Sequence, residues 1–160
     1  MFKVIDNYLS EDNHLRLKDI LESNNFAWYF QKRSVNLKDN NKFDFHFGHN
    51  FYFNDNVTSD YFKFLNPIIE KLEVNSLIRI KGNLNVVTSK PVNSKPHKDQ
   101  PFDCKVALYY LNTNNGHTVI NNKKVKSIKN RIVLFDSSVE HYGVTCTDEP
   151  IKVVINFNYV

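Results

Sequence analysis

The second half of the chain is a succession of short apolar stretches cut by turn residues: Leu77 to Thr88, Cys104 to Leu111, His117 to Ile120, Lys124 to Ile128, Ile132 to Phe135, Glu140 to Thr145 and Ile151 to Tyr159. Strands this short, interrupted this regularly, bury their apolar face only by stacking or closing on one another, so they predict a sandwich, barrel or jelly roll. Composition agrees, because the chain carries 13 Phe and 8 Tyr, residues that favour a pleated, half-buried surface. Its 160 residues fit one domain, with roughly two-thirds of the unfolded surface buried on folding.

Before about residue 76 the pattern is mixed. Phe2 to Ile5 reads as a short strand, and Ser10 can cap a helix whose apolar positions are Leu15, Leu17, Ile20 and Leu21. Phe26 to Phe30 and Phe43 to Phe53 read as strands. A second helix is expected from Ser59 to Leu72, with Pro67 in mid-segment marking a place where it can break into two shorter pieces. The expectation is a mainly β (α+β) chain: an N-terminal support layer over 1–76 packed on a C-terminal barrel over 77–160.

The formal charge is +4, which raises nucleic acid as a partner. Phosphate recognition needs clustered rather than net charge, and only Arg16, Arg33, Arg79 and Arg131 are arginines. The densest basic stretch, Lys123 to Arg131, alternates Lys124 and Lys126 with Val125 and Ser127, as the wet face of a hairpin does. A nucleic-acid partner is therefore not expected. No apolar run reaches the roughly 18 residues of a membrane span, and the charged start MFKVIDNYLSEDNH lacks the apolar segment of a signal peptide. Cys104 and Cys146 have no metal-ligand spacing and read as free thiols. The expected location is the cytoplasm.

Six histidines are present. His14, His46, His49 and His117 have no evident chemical neighbour. His97-Lys98-Asp99, in contrast, sets an imidazole and a carboxylate two residues apart, which in an extended segment puts both on one face. That dipeptide spacing alone is weak, and His141, after the apolar Ile132 to Phe135, supplies a third ligand. Two imidazoles and one carboxylate make the facial triad of non-haem Fe(II) oxygenases, which leaves coordination positions open.

The last strand adds a second element. In EPIKVVINFNYV the residues Lys152, Val154, Asn156 and Asn158 share one face, while Ile151, Val153, Ile155 and Phe157 share the other. If the polar row faces inward, Lys152 needs an anion, since a buried unpaired ammonium is costly; a dicarboxylate co-substrate would provide one. Periodicity alone leaves the opposite orientation, with Lys152 in solvent, open.

His97-x-Asp99, then Cys104-Lys-Val-Ala-Leu-Tyr-Tyr-Leu-Asn112, then Asn130-Arg-Ile-Val-Leu-Phe135, then His141 and a basic residue on the closing strand resemble the C-terminal core of the prolyl-4-hydroxylase-like 2-oxoglutarate and Fe(II) dioxygenases. YYLNTNNGHTVI, NRIVLF and TCTDEPIKVVINFNY are closer still in look to small phage-encoded members. The resemblance covers about residues 77–160. It implies a double-stranded β-helix (jelly-roll) barrel, Fe(II) held by His97, Asp99 and His141, and 2-oxoglutarate paired through its distal carboxylate with Lys152 and the Tyr110 hydroxyl. Asn158 would orient the co-substrate or face the substrate, and Asn85 is a further contact. The implied reaction hydroxylates an unactivated C–H bond of a peptidyl proline, amino acid or other small molecule with release of succinate and carbon dioxide; oxygen is the second co-substrate and ascorbate an accessory reductant.

The chain departs from the family at three places. Asn115-Gly116-His117 stands where many members have Gly-Gly, which brings His117 into question as a site residue. Lys152 replaces an arginine, exchanging a bidentate fork for a point charge. Asn158 occupies the place of the second arginine of the base-repairing dioxygenases, which argues against nucleic-acid repair. Two other readings stay open: a non-catalytic jelly-roll binding or virion protein, and a cupin-type metalloenzyme without 2-oxoglutarate. Substrate recognition beyond the barrel core would fall chiefly to the stretch Phe43 to Phe53 with His46 and His49; a core strand is the preferred reading of its Phe residues, and the histidines stay open.

Overall fold

The computed structural model describes residues 2–32 and 45–160. The described chain runs β1 (Phe2–Ile5), α1 (Glu11–Leu21), β2 (Tyr29–Lys32), β3 (Phe45–Phe53), β4 (Asn56–Val57), a 3-10 turn (Phe62–Leu65), α2 (Asn66–Lys71), β5 (Leu77–Val86), β6 (Lys105–Tyr110), β7 (His117–Ile120), β8 (Lys123–Lys126), β9 (Arg131–Asp136), β10 (His141–Val144) and β11 (Ile151–Tyr159). Residues 43 and 44 of the strand expected over Phe43 to Phe53 lie outside the described residues.

Two antiparallel sheets result. The larger has the order β1-β9-β6-β11-β5-β3-β2, with β4 on β3, and the smaller has the order β10-β7-β8. From β5 onward the chain alternates between them: β5 in the large sheet, residues 92–97 bridged to β10 in the small one, β6 large, β7 and β8 small, β9 large, β10 small, β11 large. That alternation is the winding of a double-stranded β-helix. The N-terminal strands extend the same large sheet at both edges, β1 against β9 and β3 against β5.

Side-chain alternation gives the large sheet two distinct faces. Ile80 and Leu84 of β5, Val153, Ile155 and Phe157 of β11, and Phe51 of β3 pack with Leu17 and Leu21 of α1 and Ile68 of α2. The opposite face of the same sheet turns inward, where Val106, Leu108 and Tyr110 of β6 and Val133 and Phe135 of β9 meet Ile120 and Val125 of the small sheet. The structure therefore selects the inward orientation of Lys152, which is 3% exposed.

Local chemistry explains the element boundaries. Ser10 caps α1 by accepting from the Asn13 backbone N–H, and Glu11 and Asp12 occupy its first turn. The buried stripe is His14, Leu17 and Leu21, with Leu15 exposed; Leu15 lies about 100° round the helix from His14 and cannot share its face. The helix expected over Ser59 to Leu72 is two pieces, because Pro67 has no N–H to donate and so sits in the first turn of α2. Asn121 and Asn122 both have positive φ between β7 and β8, as do Asn54 and Asp55 between β3 and β4, the two-residue turn whose twist matches a hairpin.

Asn130, also at positive φ, fastens the N-terminal arm to the barrel. Its Oδ1 accepts from the Leu9 N–H at 2.8 Å and its Nδ2 donates to the Leu9 carbonyl at 2.9 Å. The Tyr109 hydroxyl donates to the same Oδ1 at 3.1 Å and lies 2.7 Å from His14 Nδ1. With its hydroxyl proton committed to Asn130, Tyr109 receives the Nδ1 proton of His14, and His14 Nε2 is buried without a partner. Both cysteines are free, and no helix among the described residues is long and apolar enough to cross a membrane.

Asn130→Ala would remove a residue suited to positive φ and orphan two buried backbone groups, so it is expected to destabilise the fold by about 3 kcal/mol in urea unfolding; a loss under about 1 kcal/mol would contradict this clasp. Burial holds the pKa of His14 below the usual imidazole value, and does the same for His49. The unfolded chain then binds those protons more readily, so stability is complete above about pH 6.5 and declines as pH falls below it. Urea midpoints of metal-free protein are expected to drop between about pH 7.5 and pH 5.5. His14→Gln should flatten that slope, and an unchanged slope in the variant would remove His14 as its source.

Candidate functional site

Between β5 and β6 the chain crosses to the small sheet and lies antiparallel to β10. Ser94 N–H donates to the Gly143 carbonyl at 2.8 Å, and the His97 and His141 backbones exchange two hydrogen bonds, each 3.0 Å. The two histidines are thus directly opposite in the ladder and their rings face each other, with centroids 4.5 Å apart. The extended backbone carries Asp99 to the same side, and one donor atom from each of His97, Asp99 and His141 lies within 4.8 Å of the others.

Hydrogen bonds around the three side chains set their chemistry. His97 Nδ1 lies 3.0 Å from the Lys95 carbonyl and His141 Nδ1 lies 3.3 Å from the Val139 carbonyl. A carbonyl can only accept, so both rings carry the proton on Nδ1 and keep the Nε2 lone pair for a cation. Burial pushes the His141 pKa down, against the pull of Asp99, and this favours the neutral ligand form. Asp99 Oδ1 is held by Arg79 Nη2 at 3.1 Å, its two oxygens accept from Asn156 Nδ2 at 3.1 and 3.0 Å, and Oδ2 accepts from Asn158 Nδ2 at 3.3 Å while lying 3.8 Å from His141 Nε2. The carboxylate is therefore oriented before any ion arrives. Two imidazoles and one clamped carboxylate fit a divalent transition metal.

The three side chains border a cavity of about 550 Å³ inside the barrel. At one end Lys152 reaches inward and its Nζ donates to the His117 carbonyl at 2.7 Å and the Val144 carbonyl at 2.8 Å. Asn85, directly opposite Lys152 in the β11–β5 register, lines the same end with Thr118, Ser94 and Gly143. Tyr110 stands beside Val154 on the inward face. Its buried hydroxyl meets no partner at hydrogen-bonding geometry; burial drives its pKa up, and the nearby Thr118 side chain only tempers the effect.

Asn158 is fully buried and joins Asp99, Asn156 and Gln100 Nε2. It meets the Asp99 carboxylate and is not among the residues that line the cavity. His117 contributes its backbone carbonyl, and its ring is not among the cavity-lining side chains. His46 and His49 lie on opposite faces of β3. His46 lines the cavity, whereas His49 sits among Phe26, Phe51 and Tyr61, with Nδ1 donating to the Ala27 carbonyl at 2.7 Å and Nε2 2.8 Å from the Ser59 hydroxyl. Of the aromatic stretch, Phe51 belongs to the core.

Sequence reasoning missed Arg79 and gave Asn156 no role beyond its face. Period-2 alternation from Lys152 does place Asn156 inward, so that signal was present. Arg79 pairs with Asn158 in register, and nothing in the linear sequence links it to Asp99.

No protein-family model matches the chain, and no curated protein matches it in sequence. Solved structures do match in fold. A 2OG-Fe(II) oxygenase family oxidoreductase from Burkholderia pseudomallei superposes with a TM-score of 0.73 at 8% identity, covering 99% of this chain and 84% of that one. A prolyl hydroxylase from Trichoplax adhaerens, in complex with a hypoxia inducible factor oxygen degradation domain peptide, gives 0.68 at 16% identity, covering 99% and 83%. The epimerase SnoN, in complex with Fe3+, alpha ketoglutarate and nogalamycin RO, gives 0.68 at 12% identity, covering 99% and 78%. The chain has the double-stranded β-helix fold of prolyl hydroxylases and 2-oxoglutarate–Fe(II) oxygenases.

Proposed function

We propose that this protein is an Fe(II)- and 2-oxoglutarate-dependent dioxygenase that hydroxylates an unactivated C–H bond of a peptide or small-molecule substrate. The observation that carries the reading is the convergence of His97, Asp99 and His141 on one point of a cavity that a buried lysine, Lys152, also lines. His97, Asp99 and His141 would hold the metal. Fe(II) with 2-oxoglutarate and oxygen supplies oxidative decarboxylation, releasing succinate and carbon dioxide and transferring one oxygen atom to the substrate carbon.

The chain's own residues have separable tasks in this reading. Lys152 attracts the distal carboxylate of 2-oxoglutarate, and its two carbonyl partners fix the ammonium in place. Tyr110 offers a buried O–H to the same carboxylate, which would satisfy a donor otherwise orphaned. Asn85 lies across from Lys152 and lines the same wall. Arg79, Asn156 and Asn158 hold Asp99 fixed in direction, the outer-layer support on which ligand sites depend. The apolar inner wall of Leu108 and Val154 excludes water from the space beside the metal ligands.

Oxygen-free protein should gain thermal stability from Mn(II), and gain more when N-oxalylglycine, a non-reactive 2-oxoglutarate analogue, is added with it. His97→Ala should abolish both gains, and Lys152→Met should abolish only the second. A metal response blind to the analogue would replace this reading with a cupin-type metalloenzyme; no metal response would leave a binding protein. Arg79→Leu should weaken Mn(II) affinity by about 10- to 100-fold, read by electron paramagnetic resonance of free Mn(II), with Arg79→Lys recovering part of it. Equal affinity in all three proteins would show that Asp99 needs no clamp.

A further inference from the structure

Asp99 stands at the end of a file of three carboxamides. A carboxylate can only accept, so Asn156 must turn its amide nitrogen towards it, and Nδ2 donates to Oδ1 at 3.1 Å and to Oδ2 at 3.0 Å. Asn156 Oδ1 is then left for Asn158, whose Nδ2 donates to it at 3.0 Å and to Asp99 Oδ2 at 3.3 Å. Both amide hydrogens of Asn158 are spent in this way, and its oxygen faces a third partner. Asn158 is fully buried, so leaving that oxygen unpaired is costly. Gln100 Nε2 supplies the donor at 3.1 Å.

The segment that carries Gln100 is tied on both sides. Before it, His97 is paired with His141 across the small sheet. After it, the Ser137 hydroxyl donates to the Phe102 carbonyl at 2.7 Å and accepts from the Cys104 N–H at 3.0 Å, and the Ser137 N–H donates to the Cys104 carbonyl at 2.9 Å. Residues 99 and 100 therefore meet β11 side by side, one as a carboxylate acceptor and the other as an amide donor. Every bond of the file runs in one sense, from Gln100 through Asn158 and Asn156 to Asp99. Each amide has one orientation that serves both of its neighbours, and turning either asparagine over would set oxygen against oxygen.

We propose that Gln100 is a positioning residue for the metal centre: its amide fixes the orientation of Asn158 and, through Asn158 and Asn156, the direction of the Asp99 carboxylate. The link to a metal rests on the dioxygenase reading; the amide file is a property of the metal-free chain. The chemistry dictates what position 100 tolerates. A side chain that only donates keeps the file intact. A carboxylate there would put acceptors at both ends, and Asn158 could satisfy it only by turning its oxygen onto Asp99 Oδ2 and Asn156 Oδ1.

Gln100→Glu, Gln100→Lys and Gln100→Met separate orientation from charge. By Coulomb attraction alone, a carboxylate added beside a cation site strengthens it and an ammonium weakens it; the file demands the opposite order. Mn(II) affinity, read by electron paramagnetic resonance of free Mn(II), is expected to fall at least about tenfold in Gln100→Glu and by less in Gln100→Met. In Gln100→Lys it should stay within about fivefold of the wild type. Affinity in Gln100→Glu equal to or above that of the wild type, or weaker binding in Gln100→Lys than in Gln100→Glu, would overturn the proposal. Side-chain amide resonances in 1H–15N spectra of metal-free protein give the second readout, with the backbone resonances of the same spectra showing that each variant is folded. The Asn158 amide pair should exchange slowly with solvent in the wild type and in Gln100→Lys, and should shift and exchange faster in Gln100→Glu and Gln100→Met. Asn158 signals that superimpose in every variant would equally overturn it. Should wild-type protein ignore Mn(II), the dioxygenase reading falls and with it the metal role of Gln100, while the amide spectra still decide whether Gln100 orients Asn158.

Discussion

The structure depends on β11 being buried on both faces. A central strand with two dry sides must place every residue against something, and period-2 alternation divides the duties without overlap. Val153, Ile155 and Phe157 bind the sheet to the helices, and Lys152, Asn156 and Asn158 furnish the barrel interior. A register slip of one residue would exchange the rows, burying lysine and asparagine among leucines and turning the apolar side chains onto the metal ligands. The same alternation in β5 sends Arg79, Lys81, Asn83 and Asn85 inward. Fold and site are therefore specified by one pattern, and neither can drift without the other.

The cluster of His97, Asp99 and His141 shows how little local sequence is needed once that frame exists. His97 and Asp99 reach the site because their segment pairs with β10, and the paired residue is His141 itself. Two of the three side chains are thus set opposite each other by backbone hydrogen bonds, and side-chain freedom matters only for the third. The third is Asp99, and it is the one surrounded by donors from two other strands. Rigidity is supplied where the backbone alone does not provide it.

Legibility followed the same division. The strand succession, the meeting of His97, Asp99 and His141, and the inward face of Lys152 could be read because each is a short-range or periodic feature. The break at Pro67 was also legible, since a missing N–H acts wherever proline stands. What could not be read were contacts between residues distant in sequence. The Asn130 clasp on Leu9 spans most of the chain, and Arg79 meets Asp99 only because β5 borders β11, which carries Asn156 and Asn158 to the same carboxylate. His46 and His49 looked alike in sequence, and one lines the cavity while the other supports an aromatic cluster; strand parity separates them, but only once the direction of the core is known. Leu15 misled because apolar character was counted without its angular position on the helix.

Gly116 gives the family departure at Asn115-Gly116-His117 a second meaning. Its φ is not positive, so no turn geometry demands glycine there. Space demands it: a Cβ would lie 2.8 Å from Asn114 Oδ1, 2.9 Å from the Val144 carbonyl oxygen and 3.1 Å from Lys152 Cδ. That carbonyl is also one of the two acceptors of the lysine ammonium. The bare backbone at 116 therefore keeps clear both the carbonyl that receives the ammonium and the stem of the side chain that carries it, so a side chain at 116 would push on the lysine's anchor and on the lysine together.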